Sequence, residues 1–339
     1  MNKLRLTFFV TFLLTAVLVA QETEEKPEFK PSGKPYATIF TNFNVINYDG
    51  NTDYAFDLTR AYLGYGYTFS ENLSGKVNID AGTPEVNIGD SLEGSTNLEL
   101  TAYLKTAALT YKYEKLTIDF GLIGLKQFKV QEGMWGHRYL YKSFQDAYKF
   151  GSSADLGISI SYKLIDQLSA DVTVSNGEGY KKLQADSLFK YAIGITGKPV
   201  DGLVVRFYYD MMGEEDMQST IAAFIGYEDD NLSAGVEYNM QMNNKIKKDY
   251  DFSGISAFAS YQFTDIIEVF GRYDNLSSVK LDGADDPWNI KKDGQTIIGG
   301  AEFTLAKGVK VAPNYQGWLP DQDGKKVTSG FFINVELKF

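Results

Sequence analysis

Apolar and polar residues alternate in segment after segment of this chain of 339 residues. Leu73, Gly75, Val77, Ile79 and Ala81 alternate with Ser74, Lys76, Asn78 and Asp80. Leu168, Ala170, Val172 and Val174 alternate with Ser169, Asp171 and Thr173, and Leu232, Ala234, Val236 and Tyr238 with Ser233, Gly235 and Glu237. The last residues repeat the pattern: Phe331, Ile333, Val335, Leu337 and Phe339 share one face. A period of two is the mark of a strand with one dry and one wet face. After the first 20 residues no run reaches the ~18 apolar positions that a membrane helix needs.

The spacing of the segments predicts how they are joined. Very short connections fall near Ser70–Asn72, Glu114, Ile165–Asp166, Pro199–Gly202, Asp229–Asn231, Thr264–Asp265 and Ala306–Gly308. Longer polar ones are expected at 48–57, 83–97, 128–151, 178–187, 213–218, 244–251, 277–294 and 319–327. Short turns at one rim and long loops at the other are the plan of an outer-membrane barrel. The prediction is an all-β fold: a transmembrane antiparallel up-and-down β-barrel of about 16 strands over residues 36–339, with both ends in the periplasm and a water-filled lumen. Aromatics such as Phe69, Tyr113, Tyr162 and Phe263 cluster beside the short turns, as an interfacial girdle would.

The first residues fit that destination. Lys3 and Arg5 precede an apolar run from Leu6 to Ala20, which reads as a secretory signal over 1–20. Residues 21–35 are acidic, contain proline and lack periodicity, so they are expected to be a disordered periplasmic leader. The net charge of −11 becomes about −13 once Lys3 and Arg5 are removed with the signal, which argues against nucleic acid as a partner. The chain has no Cys, so neither disulfides nor thiolate chemistry enter.

The alternation turns many charges inward. Arg60, Lys76, Asp80, Arg206, Asp210, Glu237, Arg272, Glu302 and Lys310 are expected to line the lumen and face water. A packed core holds few unpaired charges, whereas barrels of this strand number enclose an aqueous channel. The third long connection, 128–151, is unusually aromatic, with Trp135, Tyr139, Tyr141 and Phe144. It is expected to fold into the barrel and narrow it, with Lys129, Arg138 and Lys142 at the constriction. Phe339 is the expected assembly signal, read by the barrel assembly machinery. The partners are then outer-membrane lipid and the small ions and solutes that pass.

Trp135-Gly136-His137-Arg138-Tyr139, Lys142-Ser143-Phe144-Gln145-Asp146 and Ser153-Ala154-Asp155-Leu156-Gly157 resemble segments of Bacteroidota outer-membrane porins. Arg60-Ala61-Tyr62-Leu63-Gly64-Tyr65 and Asn176-Gly177-Glu178-Gly179-Tyr180-Lys181 do so too. These porins group with the phosphate-selective porin O and P family. The resemblance implies a passive diffusion channel, a homotrimer and a preference for anions. Such a preference goes with a lysine-rich constriction, whereas here the strand-borne charges nearly balance.

Chemistry of other kinds finds little support in the sequence. The alternative to a channel is a barrel with an enzymatic, structural or adhesive role. His137 is the only histidine, nothing orients a triad around it, and as a lone loop residue it is expected to be solvated. No His/Cys set has metal-ligand spacing, so no metal, cofactor or catalytic residue is assigned. Asp282, Asp285 and Asp286 are expected to be solvated loop acids.

Overall fold

The computed structural model describes residues 29–82 and 99–339. The predicted signal, most of the predicted leader and the expected connection at 83–97 lie outside the described residues. The compact unit Ser32–Phe339 contains sixteen strands. The first five are β1 (Ser32–Tyr48), β2 (Asn51–Thr68), β3 (Leu73–Gly82), β4 (Thr101–Tyr113) and β5 (Leu116–Gly124). Then follow β6 (Ala154–Ile165), β7 (Leu168–Ser175), β8 (Lys190–Gly197), β9 (Leu203–Met212) and β10 (Gln218–Glu228). The wall is completed by β11 (Leu232–Met242), β12 (Phe252–Thr264), β13 (Ile267–Ser278), β14 (Gly294–Ala306), β15 (Val309–Pro320) and β16 (Thr328–Lys338). Each strand pairs antiparallel with the next, and β16 closes on β1 from Thr38 opposite Lys338 to Tyr48 opposite Thr328.

The period-two pattern becomes an outside and an inside. Val77, Leu109, Val172, Ile193, Val236 and Ile333 are exposed on the outer wall. Such a continuous apolar exterior requires lipid against it. Phe69, Tyr113, Tyr162 and Phe263 are exposed beside the short turns, where an interfacial girdle belongs. Among the described residues no helix is long and apolar enough to cross a membrane; the strands do the crossing.

Two boundaries differ from the sequence expectation. The first strand begins at Ser32, so residues 32–35 pair with β2 instead of ending a leader. The expected long connection at 48–57 is a turn of two residues, Asp49-Gly50, between Tyr48 and its partner Asn51. Asp49 has φ 50° and Gly50 has φ 81°. An Asp-Gly pair with both angles positive is the turn whose twist matches two antiparallel strands. Polar residues 51–53 therefore continue β2 beyond the apolar band.

Two bulges shift the alternation where it matters. Phe40 pairs with Arg60 and Thr41 with Leu58, leaving Thr59 as the extra residue in β2. Asn78 pairs with Thr106 and Ile79 with Leu104, leaving Lys105 as the extra residue in β4. Counting back from the outward Tyr111, Leu109 and Ala107 would put Lys105 on the lipid face. The bulge re-aims it into the barrel.

Candidate functional site

The connection between β5 and β6 folds into the barrel and packs on the inner wall. It carries two short helices, α1 (Lys129–Trp135) and α2 (Phe144–Ala147). The first stops at Gly136, whose φ of 68° lets its N–H cap the helix on the carbonyl of Glu132. Phe128, Trp135, Phe144 and Phe150 are almost completely buried. Trp135 meets Phe258 and Phe270 of the wall with ring centroids 5.7 and 6.2 Å apart. Phe150 meets Phe252 at 4.4 Å. Each such buried aromatic stabilises the insertion by roughly 1.5–3 kcal/mol.

Polar ties fix its register. Ser233 donates to the carbonyl of Met134 at 2.9 Å, Tyr139 to Glu302 at 2.9 Å, and Asn334 to the carbonyl of Tyr139 at 3.3 Å. Gln127 is cross-braced to Gln145 at 2.9 Å within the segment.

The inward charges are therefore mostly held under this insert. Arg206 bonds Asp171 at 2.8 Å and donates to the carbonyl of Lys126 at 2.9 Å. Lys190 pairs with Asp210 at 3.4 Å, and Lys310 with Glu302 at 2.6 Å. Arg60, Asp80, Arg206, Asp210, Arg272 and Glu302 were expected to face water but are buried in ion pairs. So is Glu237 buried, which is 2% exposed and accepts bonds from Asn239 and Gln145. It is covered because the insert lies on β11. Lys76 keeps its expected exposure, with its ammonium 4.9 Å from the centre of the Tyr36 ring.

The face of the insert turned toward β2–β4 is charged. A chain of alternating sign runs along it: Lys129 to Glu132 at 3.0 Å, Glu132 to Arg138 at 3.7 Å, Arg138 to Asp146 at 3.5 Å, and Asp146 to Lys142 at 4.0 Å. Lys129 is its half-exposed outer end. Around Asp80, Arg60 stands at 3.2 Å and Lys105 at 3.8 Å, while Tyr180 donates to it at 2.7 Å. Lys105 also donates to Tyr62 at 3.3 Å, and Lys181 lies over the Tyr103 ring at 4.7 Å.

These groups share one electrostatic field. Burial pushes the pKa of Lys142 down to about 8, with Arg60, Lys181 and Lys149 adding to the shift and Asp146 opposing it. Burial would raise the carboxyl of Asp146, but Lys142, Arg138, Lys105 and Arg60 outweigh it and leave it below the usual range. Burial and Arg60 likewise lower Lys181, against Asp80. Five cations, Arg60, Lys105, Arg138, Lys142 and Lys181, thus meet three carboxylates, Asp80, Asp146 and Glu132.

Sequence reasoning named Arg60, Asp80, Arg138 and Lys142 of this set. It missed Lys105, which the bulge conceals, and Lys181, which was legible only as part of the Asn176–Lys181 motif. His137 was expected to be solvated and is 2% exposed, because the insert carries it against the wall. Its Nδ1 lies 2.7 Å from the carbonyl of Trp135, and its Nε2 has no hydrogen-bond partner among the described residues.

No family model matches the sequence, and no curated protein matches it. Solved structures do. The chain is similar to Salmonella typhi OmpF in complex with daunomycin, with TM-score 0.68 and 16% identity over 91% of this chain and 97% of that one. It is similar to an anion-selective porin from Comamonas acidovorans, with TM-score 0.66 and 12% identity over 91% and 100%. It is also similar to the trimer form of OmpT, an outer-membrane protein of Vibrio cholerae, with TM-score 0.58 and 13% identity over 91% and 99%. The fold is that of the outer-membrane porins. A closed barrel with an apolar exterior belongs in the outer membrane of a Gram-negative bacterium.

Proposed function

We propose that the protein is a passive porin for small hydrophilic solutes and ions that prefers anions, phosphate among them. The observation that carries this reading is the excess of cations, five to three, where the insert meets β2–β4. A cation about 4 Å from a passing ion contributes about 1 kcal/mol in bulk water and about 4 kcal/mol at the effective dielectric of a protein surface. A local positive field where the insert meets β2–β4 would therefore outweigh an acidic total charge spread over the rest of the chain. Lys149, Lys245, Lys291 and Lys292 line a cavity of about 190 Å³ with Tyr148 and Trp288, which adds basic charge on the long-loop side.

The sequence resemblance to Bacteroidota porins of the phosphate-selective O and P family supports the same preference. In this reading residues 1–20 are the export signal, residues from 21 up to the start of β1 the leader, and the barrel assembles as a homotrimer through the barrel assembly machinery. The test is the reversal potential of the reconstituted channel in a KCl gradient. An anion-selective potential that R138E/K142E moves toward cations is the expected result. A cation-selective wild type, or an unchanged potential in the double variant, refutes the assignment.

A further inference from the structure

His137, Glu268 and Glu302 come together at the short-turn end of the barrel. Glu268 is the second residue of β13, Glu302 stands near the end of β14, and His137 follows α1 on the insert. One ligand atom from each lies within 4.8 Å of the other two. The Nε2 of His137 is 3.6 Å from Glu302 and 3.8 Å from Glu268. These separations are too long for hydrogen bonds, which need about 2.7–3.2 Å. They are close to the roughly 3.4 Å that separates two ligand atoms on one tetrahedral ion at ~2.0–2.2 Å.

The histidine is prepared to be a ligand. The carbonyl of Trp135 can only accept, so Nδ1 carries the hydrogen of that bond and the lone pair is left on Nε2. That nitrogen is buried, has no hydrogen-bond partner and points at two carboxylates. The ring is held by Phe270 at 4.4 Å and Trp135 at 5.1 Å. Glu302 is itself oriented, by Tyr139 at 2.9 Å on one oxygen and Lys310 at 2.6 Å on the other. Lys310 neutralises part of the charge, so the neutral imidazole and two carboxylates retain a net deficit that a divalent ion fills. One nitrogen and two carboxylate donors suit a borderline divalent transition ion, zinc first among them.

We propose that His137, Glu268 and Glu302 bind a divalent transition-metal ion that ties the inserted segment to β13 and β14. Such an ion would fasten the insert at one rim, independently of the charged face that meets β2–β4.

The test uses untagged, metal-free, full-length protein in detergent, titrated with Zn²⁺ by calorimetry and with Cu²⁺ by electron paramagnetic resonance. Because His137 is the only histidine, coupling of Cu²⁺ to one imidazole nitrogen reports this residue alone. The expected result is one tight equivalent, the single-nitrogen signature, and at least ~10-fold weaker Zn²⁺ binding in H137Q and in E268Q. D282N/D285N/D286N, which alters only exposed loop acids, should bind as the wild type does. Absence of nitrogen coupling in the wild type overturns the proposal, as does Zn²⁺ affinity that E268Q leaves unchanged or that the loop variant abolishes. If H137Q fails to fold, the wild-type spectrum and the partly exposed Glu268 still decide.

Discussion

Arg272 of the wall donates from its guanidinium to the main-chain carbonyl of Lys142 at 2.6 Å. The same guanidinium makes two bonds to Asp274, at 2.8 and 2.7 Å. One buried cation thus ties the barrel wall to the main chain of the insert at Lys142. R272M would leave Asp274, which is 0% exposed, without its partner and remove the bond to the Lys142 carbonyl. The expected cost is about 3–5 kcal/mol, read from the urea midpoint of the folded band in electrophoresis. R272M/D274L should recover much of it, since replacing both members of a buried pair removes the unpaired charge.

Anion preference should fall as pH rises. A lysine whose pKa is lowered keeps its charge below that value and loses it above, and Lys142 stands at about 8. The reversal potential should therefore move toward cations between pH 7 and pH 9. K142R, which stays charged, should shrink that step while leaving the potential at pH 7 nearly unchanged.

Neighbouring residues on β11 should fail for different reasons. Val236 is 43% exposed to the lipid side, so V236R should cost ~2–4 kcal/mol near the bilayer midplane. Glu237 lies under the insert, so E237R would replace an acceptor of Gln145 with a longer cation and lift the segment. It should change conductance and its noise, which V236R should not; single-channel recording of the refolded variants separates the two.

Lys105 should line the lumen despite its place in the alternation. The chain has no cysteine, so K105C can be labelled cleanly. A water-soluble thiol reagent should reach K105C and reduce current through the open channel. L104C, which points outward at 47% exposure, should react poorly in a lipid bilayer and leave the current unchanged.

Phe339 is 77% exposed at the short-turn rim, and its N–H bonds the carbonyl of Ala37 at 3.0 Å. Deleting it removes the last tie between the two strands that close the barrel. The expected outcome is slower insertion and accumulation in the periplasm, measured by pulse-chase and the heat-modifiable fraction.

Sixteen strands and most of their connections could be read because lipid outside and charge inside impose a strict period of two. The Asp49-Gly50 turn was passed over because the flanking residues, Asn47 to Asp53, are polar and look like a loop. Lys105 was hidden because a single extra residue reverses the face of everything before it. Arg138 and Lys142 stood out as cations in an aromatic loop, but Asp146 and Glu132 beside them carried no signal of their own. The His137–Glu268–Glu302 group was invisible for a different reason. Its members are far apart in sequence, and only ring closure brings β13 and β14 to the insert.

Arg206, Ser233, Arg272, Thr296, Glu302 and Asn334, which bond the insert, come later in the chain than the insert itself. The insert therefore depends on the second half of the wall for most of its polar ties. Most of its aromatic face stays uncovered until β9 to β16 have formed, and β1 is an open edge until β16 reaches it. Contacts across such sequence distances are slow to form, and open edges invite wrong pairing while they wait. Insert and second half of the wall must then fold together, so a defect in either should slow the closure of both.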